Sequence, residues 1–183
     1  MKLQMAFIND KDLAKKLSED IDEMEKMLNE YLQFTSSSYI EKDEMFNLSE
    51  LIQNIIEKYN NKKISQDLVP RIYFNGRKNL VSRSLSNLID NALRYANKVE
   101  VKLNKKSTSL FITIDDDGPG IPEDQRQDVF RPFFRVEDSR NPITGGIGLG
   151  LTIAGDVVRS HGGEIDLTDS PNGGLRVRLR MPI

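Results

Sequence analysis

Three clusters of residues in this sequence have the types and spacing to do chemistry. They are Asn87 to Ala92 (Asn-Leu-Ile-Asp-Asn-Ala), Asp116 to Gly120 (Asp-Asp-Gly-Pro-Gly), and Gly145 to Leu151, a run with glycines at 145, 146, 148 and 150. Leu110, Ile112 and Ile114 recur at period two. That spacing puts them on the core face of a strand and aims Asp116 the same way, with Asp115 and Asp117 facing outward. A carboxylate at the inner end of an apolar strand needs a donor, because burying it unpaired is costly. An exocyclic amine on a bound adenine would supply one, and the Gly118-Pro119-Gly120 turn lets backbone come close to a flat ring. The plainer reading is an acidic turn in which Asp116 caps local amides.

Asn87, Asn91 and the Arg94/Tyr95 pair fall at i, i+4 and i+7/i+8 on one flank of a helix. The core stripe of that helix is Val81, Leu85, Leu88 and Ala92. Two amides and a guanidinium on one flank could hold phosphates and a hydrated cation; read plainly, they are a solvated polar face. Magnesium keeps several waters and takes one or two protein oxygens beside phosphate oxygens, so a single asparagine carbonyl is enough. The glycine run offers free amides at a helix start, where the macrodipole also favours anions. By itself it would be a flexible loop. Ahead of it, Phe130-Arg131-Pro132-Phe133-Phe134-Arg135 forms an apolar knot. This knot reads either as satellite core or as the anchored root of a lid that ends in a glycine hinge. Arg131 or Arg135 either reaches a terminal phosphate or stays a rim charge.

These clusters need elements to position them. Helical spacing predicts helices over roughly 48–60, Lys78–Ala96 and Gly148–Ser160, the last with Leu149, Ile153 and Val157 four apart. A short strand is expected near Arg71–Phe74. Period-two patterns follow at Val99/Val101/Leu103, at Leu110/Ile112/Ile114, and at Leu175/Val177/Leu179/Met181 with Arg176, Arg178 and Arg180 between. Such alternation means a mixed, mainly antiparallel sheet, wet on one face and covered by helices on the other. The expected fold is α+β, a two-layer sandwich, carrying an N-terminal helical arm. In that arm, residues 10–34 read as one long helix with a stripe of Leu13, Leu17, Ile21, Met24, Leu28 and Tyr31/Leu32. Met5, Phe7 and Ile8 end a preceding apolar segment, which favours a helical hairpin with dimerisation over packing on the adjacent domain. Thr35-Ser36-Ser37-Ser38 marks a linker.

Composition narrows the classes further. The chain has 183 residues, 38% hydrophobic and 30% charged, with a net charge of −2. Scattered basic residues among acids argue against nucleic acid as a partner. No apolar run reaches the length of a membrane span, no signal-peptide core is evident, and a cytoplasmic setting is expected. Zero cysteines and one histidine exclude disulfides and multi-histidine metal clusters. That histidine, His161, stands in Ser160-His161-Gly162-Gly163, a helix stop, and is expected to cap structure.

Taken together, the clusters resemble the ATP-binding catalytic domain of sensor histidine kinases, on the Bergerat-type sandwich shared with gyrase, chaperone and mismatch-repair ATPases. The resemblance covers residues 44–183. Asn87 to Tyr95 is similar to the N box, which implies Asn91 as magnesium ligand and Asn87, Arg94 and Tyr95 as phosphate or ribose neighbours, with Asn87, Asn91 and Arg94 catalytic. Asp116, Gly118 and Gly120, with Ile121, match the first glycine box, which implies Asp116 as adenine reader. Phe130, Phe133 and Phe134, with Arg135 beyond, match the aromatic box. Gly146, Gly148 and Gly150, with Leu149 and Leu151, match the second glycine box, whose amides meet phosphates. The wording DDGPGI, RPFFR and GIGLGL is most similar to the osmosensor branch, which partners winged-helix response regulators.

The resemblance implies two domains: 1–40, a partial dimerisation and phosphotransfer hairpin, and 41–183, the catalytic domain. The family's acceptor histidine, in a His-Glu-Leu-Arg-Thr-Pro-like segment, has no counterpart here. The chain therefore resembles a fragment that binds ATP and magnesium without labelling itself, cut from a parent anchored in the inner membrane. Expected partners are the parent's histidine hairpin, a response regulator and a second copy through the arm. The hydrolytic relatives carry a glutamate at the position of Asn87, and asparagine cannot take a proton from water. Transfer to an organised acceptor is favoured over hydrolysis. A hydrolytic ATPase, an anti-sigma-type serine kinase and a non-catalytic regulatory module of the same fold are the competing readings.

Overall fold

The computed structural model describes Ile21 and residues 41–59, 63–136 and 148–183. The predicted arm with its stripe, the linker and the lid segment with Gly146 lie outside the described residues, Ile21 apart. The chain divides between Ile40 and Glu41 into two units, and the fold is that of Glu41–Ile183. Its elements are β1 (Glu44–Asn47), α1 (Leu48–Lys58), β2 (Ile64–Leu68), β3 (Tyr73–Gly76), α2 (Lys78–Tyr95), β4 (Val99–Lys106), β5 (Ser109–Asp116), α3 (Gly150–Ser160), β6 (Glu164–Asp169) and β7 (Leu175–Pro182). Two short 3-10 turns, Glu123–Gln125 and Asp128–Phe130, follow β5. Among the described residues no helix is long and apolar enough to cross a membrane.

Five strands form one sheet in the order β2-β4-β5-β7-β6, antiparallel throughout except for the β2–β4 pair. Strands β1 and β3 pair separately. The alternating apolar residues of β4, β5 and β7 are all buried: Val99, Val101, Leu103, Leu110, Ile112, Ile114, Leu175, Val177, Leu179 and Met181. Against them lie Leu85, Leu88, Ile89 and Ala92 of α2 and Ile153, Ala154, Val157 and Val158 of α3, also buried. The sandwich is therefore two-layered, with Arg176, Arg178 and Arg180 on the uncovered face beside Asp115, Asp166 and Glu164.

Caps fix the helices that matter. Asn47 accepts the Glu50 amide and starts α1. Helix α2 has no cap from its own preceding side chain. Instead the Glu41 carboxylate accepts the Asn79 and Leu80 amides at 2.6 and 3.2 Å. Helix α3 ends in a Schellman motif: Gly162, at φ 70°, bonds Arg159 O, and Gly163 bonds Val158 O. His161 packs at that end as expected. Its Nε2 accepts the Arg77 amide at 3.0 Å and its Nδ1 donates to Val157 O at 2.7 Å, which fixes the neutral Nδ1–H tautomer.

Several expectations need correction. Strands β1, β2 and β6 have no counterpart in the sequence reading, and the strand expected near Arg71–Phe74 runs Tyr73–Gly76. Asp115 lies on the outer face, as parity requires, yet it is fully buried. The guanidinium of Arg176, its cross-strand partner, covers it through two bonds of 2.6 and 2.8 Å.

Candidate nucleotide-binding site

Helix α2 and the start of α3 pack side by side, and this packing brings the first and third clusters together. A Cβ built on Gly150 would sit 3.8 Å from Asn87 Cβ. Asn87 Nδ2 is buried there and has no acceptor among the described residues. The Asn91 amide, half-buried one turn further on, makes no bond to them either. Thr152 Oγ1, in the first turn of α3, is likewise buried without a partner among the described residues, as is Ser84 Oγ further back along α2. The helix itself starts with no side-chain cap and no acid in its first turn. Such an end has donors to spare and favours an anion. Leu149 is buried, while Gly148, Gly150 and Leu151 are half-buried beside it.

The second cluster closes on the far end of α2. Asp116 is 5% exposed, and its Oδ1 accepts the amides of Gly118 at 2.8 Å and Leu175 at 3.0 Å. Its Oδ2 accepts none from the described residues. Burial raises the carboxyl above its usual range, and the two amides oppose that rise only in part. Gly118 lies so close to the end of α2 that a Cβ would stand 3.0 Å from Tyr95 O. Gly120 takes φ 71°, a value that favours glycine. Ile121 is half-buried beyond it. The capping reading and the ligand reading thus fall on different oxygens of one side chain.

The aromatic segment divides. Phe130 and Phe134 are half-buried, and Phe130 lies against Gly155 of α3. Phe133 is a correction to the expected anchor: it is 54% exposed at φ 66°. The anchoring contact is made by backbone, with Phe133 N–H donating to Gly148 O at 3.1 Å. A Cβ on Gly148, itself at φ 76°, would fall 2.9–3.0 Å from the Phe133 and Phe134 backbone. Arg131 pairs with Asp128 at the rim. Arg94 is exposed in the last turn of α2, and Arg135 is half-buried.

Two contributors escaped the sequence reading. Asp117 Oδ1 accepts the Asn97 and Lys98 amides at 2.7 and 2.8 Å and so clamps the loop after α2; these bonds pull its carboxyl below the usual range. Gly174 lies against Asp116, where a Cβ would be 2.2 Å from Oδ1. A Gly-Gly pair in a hairpin was the only available signal, and it does not say what the glycine must avoid.

Residues 76–183 match the family described as histidine kinase-, DNA gyrase B- and HSP90-like ATPase, and the chain belongs to that family. Within it, the chain is homologous to sensor histidine kinases. It is 33% identical to the sensor histidine kinase GtrS of Pseudomonas aeruginosa, over all of this chain and 38% of that protein. It is 40% identical to the sensor histidine kinase CpxA of Escherichia coli K12, over 59% of this chain and 24% of that protein. The solved histidine kinase domain of the E. coli osmosensor EnvZ is 31% identical with a TM-score of 0.59, covering 76% of this chain and 88% of that one. The chain thus spans well under half the length of these two full-length relatives.

Proposed function

We propose that this chain is the Mg-ATP-binding catalytic part of a two-component sensor kinase, passing the γ-phosphoryl group of ATP to a histidine outside this chain. From there the group moves to an aspartate on a response regulator. The observation that carries the reading is the half-used carboxylate of Asp116: one oxygen is fixed by two amides and the other takes no donor from the described residues. Its open oxygen accepts the adenine amine. Gly118, Gly120 and Ile121 form the wall against the ring. At the other end, Asn87 Nδ2 donates to the nucleotide, which answers its missing acceptor. The amides that begin α3, from Gly148 to Leu151, take the phosphates, with Arg94 and Tyr95 on the α2 side and Phe130 and Arg135 at the lid root.

The residues present also fit magnesium. Asn91 offers an amide oxygen on the α2 flank, and an ion held mostly by water and phosphate needs little more from the protein. When bound there by Asn91, magnesium would neutralise charge on the phosphates. The protein's own contribution is to hold the chain of phosphates in line and away from water. Asn87 has no basic oxygen to draw a proton from water, so an organised nucleophile is served instead. A histidine nitrogen attacks the γ-phosphorus and ADP departs. His161 is not that nucleophile, because both ring nitrogens already serve the fold.

Residues 1–40 are read as a partial dimerisation hairpin that pairs two copies; the alignment with the sensor histidine kinase GtrS runs through them. The parent would be anchored in the inner membrane, with this part on the cytoplasmic side. The test mixes the chain with a separate hairpin bearing the acceptor histidine, magnesium and γ-labelled ATP. Label should appear on that histidine and be absent from this chain. Absence of calorimetric heat with Mg-ATP, on a folded sample, would end the reading.

A further inference from the structure

The β6–β7 hairpin touches the purine end of the proposed site at more than one point. Leu175 sends its amide to Asp116 Oδ1, and Gly174 N–H donates to Asp116 O at 3.2 Å. Directly across the ladder from Leu175 stands Asp169, the last residue of β6. Asp169 accepts from Arg126 Nη2. The same guanidinium donates from Nε to Ile121 O at 3.0 Å. A closed ring of contacts results: Asp116, its turn through Gly120 to Ile121, Arg126, Asp169, Leu175, and back to Asp116.

We propose that Arg126 is a positioning residue for the nucleotide base, fastening the turn at 118–121 to the β6–β7 hairpin so that this turn and Asp116 keep one spacing. The proposal rests on the nucleotide reading of the site. An ion pair to Asp169 alone would do little, because that carboxylate is 86% exposed and screened by water. Arg126, however, is only 17% exposed, and its fork geometry satisfies two acceptors on separate segments at once. Lysine offers all its donors from one nitrogen and lacks that fork. Gly120 runs close to the same hairpin, since a Cβ there would meet Gly174 O at 3.6 Å. With the guanidinium removed, Ile121 O loses its donor and the turn its tie to β6.

The experiment is calorimetry of the full chain with Mg-ATP, Mg-ADP and Mg-GTP, for the unaltered protein and for Arg126→Ala, Arg126→Lys and Asp169→Asn. Arg126→Ala should weaken ATP and ADP equally, by about five- to tenfold, and should narrow the preference for adenine over guanine. Arg126→Lys should recover less than half of the loss on a logarithmic scale, and Asp169→Asn should cost about two- to threefold. Asp169 is a surface position, so this last variant keeps the test open should Arg126→Ala fold poorly. Wild-type affinity in the folded Arg126 variants, or a loss that leaves the adenine preference intact, overturns the latch alone. No binding by the unaltered chain overturns the latch together with the nucleotide reading.

Discussion

The two ends of α3 are built on opposite terms. At its C-terminal end every local demand is met: Gly162 and Gly163 close the Schellman bonds, His161 uses both ring nitrogens, and Arg77 reaches Ser160 O and Oγ. At its N-terminal end no side chain among the described residues caps the helix, and Thr152 Oγ1 and the nearby Asn87 Nδ2 are buried without partners among them. A helix end that completes its own hydrogen bonds is scaffold. One left with unanswered donors has hydrogen bonds to offer a ligand, since most buried polar groups are satisfied within the fold. Neighbouring Asp115 and Asp116 repeat the contrast: the first is neutralised by Arg176, and the second keeps an oxygen open.

Removing the open carboxylate should break this comparison most visibly. Asp116→Ala is expected to lower Mg-ATP affinity by about a hundredfold or more, since a charge-assisted bond and the turn it holds are both lost. Isothermal calorimetry reads this directly. The satisfied partner should behave in the opposite way. Arg176→Ala strands a buried carboxylate and should destabilise the domain by about 2–3 kcal/mol in urea unfolding, below the fully buried case because Arg176 is partly exposed. The folded fraction should still bind ATP within a few-fold of wild type.

At the finished end of the helix, His161→Ala removes the acceptor for the Arg77 amide and the ring beside Phe74, whose centroids are 5.8 Å apart. A loss of about 1–2 kcal/mol is expected, with nucleotide affinity unchanged. Asn87→Leu, at the unfinished end, should leave stability within about 0.5 kcal/mol of wild type or above it, because an unpaired buried donor disappears. Its ATP affinity should fall. A marked loss of stability instead would mean that Asn87 is structural.

The smallest effect sharpens the argument through pH. Burial raises the Asp116 carboxyl above 3.8, so the neutral form suits the fold better. The stability it contributes is complete below that value and is lost as pH rises through the raised one. Asp116→Asn should therefore show a higher Tm than wild type at neutral pH, and the difference should vanish toward pH 3.8. A variant less stable at neutral pH would show that the charged form is held by more than two amides.

Much of this was legible beforehand. The alternation in 99–103, 110–114 and 175–181 named three central strands, because those strands bury one face and show water the other. The Val81, Leu85, Leu88 and Ala92 stripe fixed which flank of α2 carries Asn87 and Asn91. Edge strands left no such mark: Ile64–Leu68 reads Ile-Ser-Gln-Asp-Leu, with little burial on either side. Phe133 misled because an aromatic type suggests anchoring, whereas a backbone bond to Gly148 performs it. Asp115 misled because parity assigns a face but not what lies over it.

Periodicity and residue type are local quantities, and they alone settled the layers of the sandwich, the inward aim of Asp116 and the glycine start of α3. Tertiary structure decided which polar atoms are already spoken for. Whether Asp116 keeps an oxygen, Asn87 lacks an acceptor, or Arg126 spans Ile121 and Asp169 depends on groups tens of residues away. Hydrogen bonds are satisfied in space, and spacing along the chain carries no record of them.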